Sequence, residues 1–163
     1  MGQWGRNSIK NINTVDFVLQ LLSQKIITRV PFDIGVLKSG GIRTTEEQNA
    51  IFKAGNSKCD GYEKLSYHQS GKAIDYVPYI DSKFTWSNGL AFLSNAKHIL
   101  NIWQTEIVEA NLDGGCHLHW GGFWGAKDLD GDGYLEVDEK LGWDMAHFEL
   151  RKYPQKNTFE IEV

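Results

Sequence analysis

Ser66-Tyr67-His68-Gln69-Ser70-Gly71-Lys72-Ala73-Ile74-Asp75-Tyr76-Val77 reads as a loop that turns at Ser-Gly and runs into a strand. Residues 73–77 alternate small or polar side chains with apolar ones, the period-two pattern of an extended segment. On such a strand Asp75 shares a face with Ala73 and Val77, while Ile74 and Tyr76 point the other way. The glycine turn allows His68, seven positions earlier, to swing over that face. An imidazole and a carboxylate brought together this way are part of a zinc site. The fold is therefore expected to carry a metal on a sheet face, and the remaining ligands have to come from elsewhere in the chain.

The bulk properties limit what that metal serves. A chain of 163 residues fits one domain, spanning 1–163, with a sizeable core. A net charge of -4 argues against a nucleic-acid partner, which favours a basic surface. No apolar run approaches the roughly 20 residues of a membrane span, and MGQWGRNSIK lacks the apolar stretch of a signal peptide. Synthesis and residence in a cytoplasm are expected. Met1-Gly2 opens like a myristoylation site, but Arg6 stands where that motif needs Ser or Thr. Two cysteines, Cys59 and Cys116, are too few for a disulfide framework and are expected to be free thiols.

Upstream, apolar residues at 15, 18, 19, 22 and 26 predict a core helix over 14–28, capped by Thr14 and closed by Arg29 and Pro31. Phe32–Leu37 predicts a short strand. Thr44-Thr45-Glu46-Glu47 is a capping box that opens a helix to about Lys53, so Arg43 is held at a helix mouth behind two glycines. By itself such an arginine is a plain surface residue. Residues 54–65 are polar and contain glycine, a loop. Downstream, Pro78–Ser82 predicts a turn, and Ser87 a cap for a helix to about Trp103, with His98 exposed or locally bonded. His117 and His119 are two apart in a glycine- and aromatic-rich segment, and on a strand they share a face. That pair competes with His68 as a metal site.

A second signal is independent of the first. Asp128-Leu-Asp130-Gly-Asp132-Gly133-Tyr134-Leu135-Glu136-Val-Asp138-Glu139 matches a twelve-position EF-hand loop. Asp128, Asp130 and Asp132 supply oxygens at positions 1, 3 and 5, Gly133 the sharp turn, and Tyr134 a backbone carbonyl. Glu136 contributes at position 9, directly or through water, and Glu139 closes the site with two oxygens. An acidic solvated loop is the bland alternative, but the spacing is complete. Trp124–Lys127 before the loop is not an EF-hand helix, and there is one loop only. A paired, groove-opening sensor is therefore not expected.

Beyond the loop, His147-Phe148-Glu149-Leu150 alternates as a strand, with His147 and Glu149 on one face. Asp144 must sit on the bend entering it if both are to face one centre. His68, Asp75 and His147 then give two imidazoles and one carboxylate with a fourth position open, the arrangement of a catalytic zinc. Such an ion lowers the pKa of its water to roughly 7, and a nearby carboxylate takes the proton. Asp144 is the candidate base.

Ser66-x-His68-x6-Asp75 followed by Asp144-x-x-His147 resembles the zinc peptidases of the M15 family, the VanY and D-Ala-D-Ala carboxypeptidase type. Within it the chain is most similar to T5-like phage endolysins, the L-alanyl-D-glutamate peptidases. The likeness runs from about Trp4 to His147 and includes Gly41-Ile-Arg43-Thr44 with Gln48, Ala73–Tyr79, Trp120-Gly-Gly and the acidic loop.

The resemblance implies an α+β fold of Hedgehog/D,D-peptidase type. In it a small antiparallel sheet carries the zinc site, packs with about three helices and has a calcium loop inserted. It further implies zinc on His68, Asp75 and His147 with Asp144 as base. Arg43 then steadies an oxyanion or a substrate carboxylate, and Ser66 and Gln48 support or contact substrate. Two departures stand out: many family members carry Glu at the position of Asp144, and His119 precedes Trp120 where no ligand is expected.

The function so implied is an endolysin. It cleaves the L-Ala–D-Glu bond of bacterial peptidoglycan as a monomer, needs Zn2+ and is activated by Ca2+. It waits in the host cytoplasm and depends on a holin or similar permeabilising partner to reach the periplasmic wall. The alternatives are a D,D- or L,D-carboxypeptidase of wall metabolism with the same metal site, and a non-enzymatic calcium-binding module.

Overall fold

The computed structural model describes residues 2–163, so Met1 lies outside it. Among the described residues four α-helices and three small sheets make an α+β fold. Helix α1 (Arg6–Ile12) was not anticipated, because its seven residues carry only two buried positions. Helix α2 (Phe17–Ile26) starts later than the apolar spacing suggested. Asp16, not Thr14, is its cap and accepts from the Val18 amide, whereas the Thr14 hydroxyl donates back to the Asn11 carbonyl. α3 (Thr45–Lys53) opens with both halves of the Thr44–Glu47 capping box. α4 (Gly89–Ile102) is capped by Asn88, not Ser87, and runs on as a wider turn over Trp103–Val108. His98 donates to the Ser94 carbonyl one turn back (2.8 Å), the local bonding expected of it.

The strands are short. β1 (Ile34–Gly35), β3 (Val77–Ile80) and β4 (Lys83–Phe84) form one antiparallel sheet in the order β1-β3-β4. Residues 78–80, expected in a turn, are strand; the turn is Asp81–Ser82, both with positive φ. The site-bearing sheet has the order β2-β7-β5, with β2 (Ala73–Asp75), β7 (His147–Arg151) and β5 (His117–Trp120) all antiparallel. Asp75 is thus the last residue of its strand, and Val77 belongs to the other sheet.

Register assigns the two faces of the central sheet. Asp75 lies opposite His147, Ala73 opposite Glu149, and Glu149 opposite His119, so these side chains share one face. Ile74, Phe148, Leu150, Leu118 and Trp120 occupy the other, and all are buried. They pack against Leu19, Leu22 and Ile26 of α2 and Leu93, Ala96 and Ile99 of α4 in the main core. Removing a ring such as Phe148 from this layer costs about 3–5 kcal/mol.

The acidic loop leaves this frame and returns to it. Its stem closes where the Lys127 amide bonds the Lys140 carbonyl (2.9 Å), and no helix flanks it. Within it β6 (Tyr134–Leu135) pairs in parallel with β8 (Glu160–Ile161) near the end of the chain. Leu135 and Ile161 are both buried in the core.

Candidate active site

His68 is placed by the turn between Ser66 and Gly71. Residues Tyr67–Ser70 form a 3-10 turn capped by the Ser66 hydroxyl, which accepts from the His68 amide (3.3 Å). Gln69 returns a bond to the Ser66 amide, and Gly71 closes the turn in the left-handed region (φ 68°). Ser66 is thus tied to the backbone of the turn. The His68 ring donates from Nδ1 to the Gly41 carbonyl (2.8 Å), which leaves Nε2 as the lone-pair nitrogen facing inward.

His147 is fixed from the other side. Its Nε2 donates to Glu149 Oε2 (3.0 Å), so Nδ1 faces inward. Glu149 is buried and also accepts from Arg151, whose guanidinium lies over the Tyr67 and Tyr153 rings. His68 Nε2, His147 Nδ1 and Asp75 Oδ1 form a triangle with sides of 3.0–3.1 Å. All three residues are buried, and they form a group that could hold a metal ion. Zn–N and Zn–O bonds of about 2.0–2.1 Å in a tetrahedron put ligand atoms roughly 3.3 Å apart, so the triangle fits that ion with the fourth direction free. With both outer ring nitrogens already donating, three electron-rich atoms converge and require positive charge between them. In a metal-free chain that charge is a proton: burial resists it, yet the bonds to Asp75 and Glu149 push His147 up to about 10. Asp75, despite the cost of burial, is held well below the usual carboxylate range by the two imidazoles.

Arg43 reaches the same group from the α3 mouth. It donates to Asp75 Oδ2 (2.6 Å), to Gln48 Oε1 (3.2 Å) and to the Ser39 carbonyl (2.5 Å). Buried Gln48 donates in turn to Ser57 Oγ (2.9 Å) and the Cys59 carbonyl (2.8 Å), tying Arg43 to the 54–65 loop. These contacts orient the Asp75 carboxylate from behind.

Asp144 sits on the bend before β7, as its spacing required. Its carbonyl accepts from the His147 amide (3.2 Å), and its side chain lines the same cleft of about 1000 Å³ as the triangle. Burial raises its carboxyl to about 6, with His147 and Arg43 opposing and Asp75 and Glu149 adding to the rise. A base near that value is poised to take and return a proton near neutrality. The segment is held by the Trp120-Gly-Gly turn. A Cβ at Gly121 would meet the Asp144 carbonyl, and one at Gly142 would meet the Gly122 carbonyl, so neither position accepts a side chain. The Trp120 indole also donates to the Met145 carbonyl (2.8 Å).

His117 and His119 lie apart from the triangle's ligand atoms. His117 is exposed, and His119 bonds the Tyr153 carbonyl (2.7 Å). In the acidic loop, Asp128, Asp130 and Glu139 form a group that could hold a cation, as do Asp130, Asp132 and Glu136. The loop is already turned inward: Asp128 accepts from the Gly131 and Gly133 amides, Asp132 from Tyr134, and Glu139 from Leu129 and Glu136. Cys59 and Cys116 are free. Among the described residues no helix is long and apolar enough to cross a membrane.

Sequence reasoning overlooked three parts of the site. Glu149 was placed on the His147 face, but its bond to that ring was not foreseen. Trp124 and Trp143, ring neighbours at 5.3 Å, continue from His147 along the cleft. Arg151 supports Glu149 from the end of β7. The recurrence of polar side chains at 147, 149 and 151 on a strand otherwise buried was the available signal.

Comparison with known proteins identifies the fold and the family. A crystal structure of the Serratia marcescens L-Ala D-Glu endopeptidase ChiX has the same fold, with a TM-score of 0.53 and 23% identity over 92% of this chain and 91% of that one. The L-alanyl-D-glutamate peptidase of Escherichia phage T5 is 30% identical over 148 residues, 91% of this chain and 97% of its own. The family model for phage L-alanyl-D-glutamate peptidases matches residues 1–151. With its buried His68–Asp75–His147 triangle beside Asp144, the chain is a peptidase and belongs to the phage L-alanyl-D-glutamate peptidase family.

Proposed function

We propose that this peptidase is a zinc-dependent endolysin that hydrolyses the L-Ala–D-Glu bond of bacterial peptidoglycan stems, and that calcium activates it. The observation carrying this reading is the triangle of two imidazoles and a carboxylate facing Asp144 across one cleft, in a chain of this family. Zinc on His68, Asp75 and His147 would acidify the attacking water and polarise the scissile carbonyl. Asp144 accepts the proton of the attacking water and returns it to the departing D-Glu nitrogen. Arg43 holds Asp75 in register and keeps its remaining N–H groups near the developing negative charge. Ser66 and Gln48 act by positioning, through the His68 turn and through Arg43.

Calcium would bind Asp128, Asp130, Asp132, the Tyr134 carbonyl, Glu136 and Glu139. Support comes from the loop's inward-turned carboxylates and from its stem. Lys127 and Lys140 close it, and Trp124 and Trp143 carry that closure to Asp144. Ordering the loop thus orders the segment that presents the base. A host cytoplasm poor in calcium keeps the monomer weakly active until a holin-type partner opens the way to the wall.

Digestion of purified sacculi by the zinc- and calcium-loaded enzyme, with the new termini identified by mass spectrometry, tests the reading. New amino-terminal D-glutamate is expected. Release of terminal D-alanine instead would make the enzyme a carboxypeptidase.

A further inference from the structure

Four cations line the cleft: Arg43, Lys58, Lys64 and Arg151. Two are committed, Arg43 to Asp75 and Arg151 to Glu149. Lys58 and Lys64 make no ion pair among the described residues, although the chain as a whole is acidic. Their setting differs. Both are exposed, but Lys64 stands on the far limb of the loop with no ring beneath it, and the Lys58 ammonium lies 4.6 Å from the centre of the Trp143 ring. That ring belongs to a row leading from the metal group: His147 to Trp124 at 5.2 Å, Trp124 to Trp143 at 5.3 Å, then Lys58.

The backbone beneath Lys58 is pinned on both sides. Gln48 donates to the Ser57 hydroxyl and to the Cys59 carbonyl, and the Cys59 amide donates to Ser57 Oγ (3.1 Å). Gly61, with φ of 86°, lies so close to α3 that a Cβ there would stand 2.9 Å from the Thr45 carbonyl. A lysine on a fixed backbone, resting on an aromatic face with no carboxylate partner, is a preorganised receptor for an anion.

Which anion follows from the side of the cleft it occupies. This step rests on the proposed bond specificity. Asp144 returns the proton to the departing nitrogen, so the leaving residue lies on the Asp144–Trp143 side, where Lys58 is. That residue is D-glutamate. Its α-carboxyl is carried by the carbon bonded to the departing nitrogen, and it stays free when the stem continues through the side-chain carboxyl. We propose that Lys58 is the specificity residue that binds this α-carboxylate and makes the enzyme select stems with a free acid over stems amidated there.

The test uses two synthetic stem tripeptides that differ only at this position, free carboxylate against carboxamide. Wild type, Lys58→Met, Lys58→Arg and Lys64→Met are compared by kcat and KM. Wild type favours the acid on the order of tenfold to a hundredfold, the range of one charge-assisted hydrogen bond. Lys58→Met brings the two substrates to parity through a higher KM for the acid, with the carboxamide unaffected. Lys58→Arg keeps the preference, and Lys64→Met leaves it unchanged. Equal cleavage of both substrates by wild type, or a wild-type ratio in Lys58→Met, overturns the assignment while the bond specificity stands. Cleavage at another bond of both peptides overturns the bond specificity and this assignment with it.

Discussion

The two halves of the metal group are built differently. His68 and Asp75 lie seven residues apart on a capped turn and a core strand, fixed by the Gly41 carbonyl and by Arg43. Asp144 and His147 follow a long acidic excursion, and the bend carrying Asp144 is held by glycine contacts, two tryptophans and the loop stem. His147 lies on β7, paired on both sides by β2 and β5, whereas Asp144 lies on the bend between the loop stem and that strand. The triangle thus rests on paired strands and a capped turn, and Asp144 on the bend behind the loop. Under the proposed function, that division predicts that a cation at the loop changes the rate without dismantling the triangle.

Substitution at the triangle has the largest expected effect on this contrast. His68→Ala and His147→Ala each abolish hydrolysis and release the bound zinc, read by elemental analysis after gel filtration. Full zinc occupancy in either would remove the triangle as the metal site. Asp144→Asn lowers kcat by about 10²–10⁴-fold while zinc stoichiometry stays at one, because only proton transfer is lost. Zinc loss in that variant would merge base and ligand and end the distinction.

Calcium removal sharpens the contrast. With zinc present throughout, withdrawing calcium by a calcium-selective chelator lowers activity and raises hydrogen exchange over residues 127–147, while amides 66–75 keep their protection. Glu139→Gln reproduces both effects at ordinary calcium. Equal activity with and without calcium would sink the activation. Glu149→Gln weakens zinc affinity by about 10–100-fold in competition with a chelator, since the His147 ring loses its carboxylate support. The smallest effect is at the rigid half. Ser66→Ala removes the cap of the His68 turn and costs about 1 kcal/mol in denaturant unfolding. A loss of substrate affinity with no change in stability would instead make Ser66 a binding residue.

The metal group was legible because its chemistry is carried by a few residue types at fixed spacing. The capping box at Thr44 was legible for the same reason. Strand lengths were not. With two to five residues each, β1 to β8 offer too few repeats for a period to register, so residues 78–80 looked like a turn because of their proline. Helix starts slipped by one or two positions where two capping residues stand close together, Thr14 with Asp16 and Ser87 with Asn88. The largest omission was non-local. Residues 152–163 carry no motif, yet Gln155 pairs with both the amide and the carbonyl of Trp120 (2.8 Å each), and Ile161 is buried beneath the loop. Nothing in those residues alone names their partners.

The parallel pairing of Tyr134–Leu135 with Glu160–Ile161 has a consequence in time. During synthesis the acidic loop is translated before its strand partner exists. At roughly 5–20 residues per second, the 22 positions from Glu139 to Ile161 take about 1–4 s to add. Over that interval β6 has no partner, and the bend bearing Asp144 has an incomplete loop behind it. The triangle's residues are all translated by residue 147, so the order of translation completes that group first and the strand behind the Asp144 bend last.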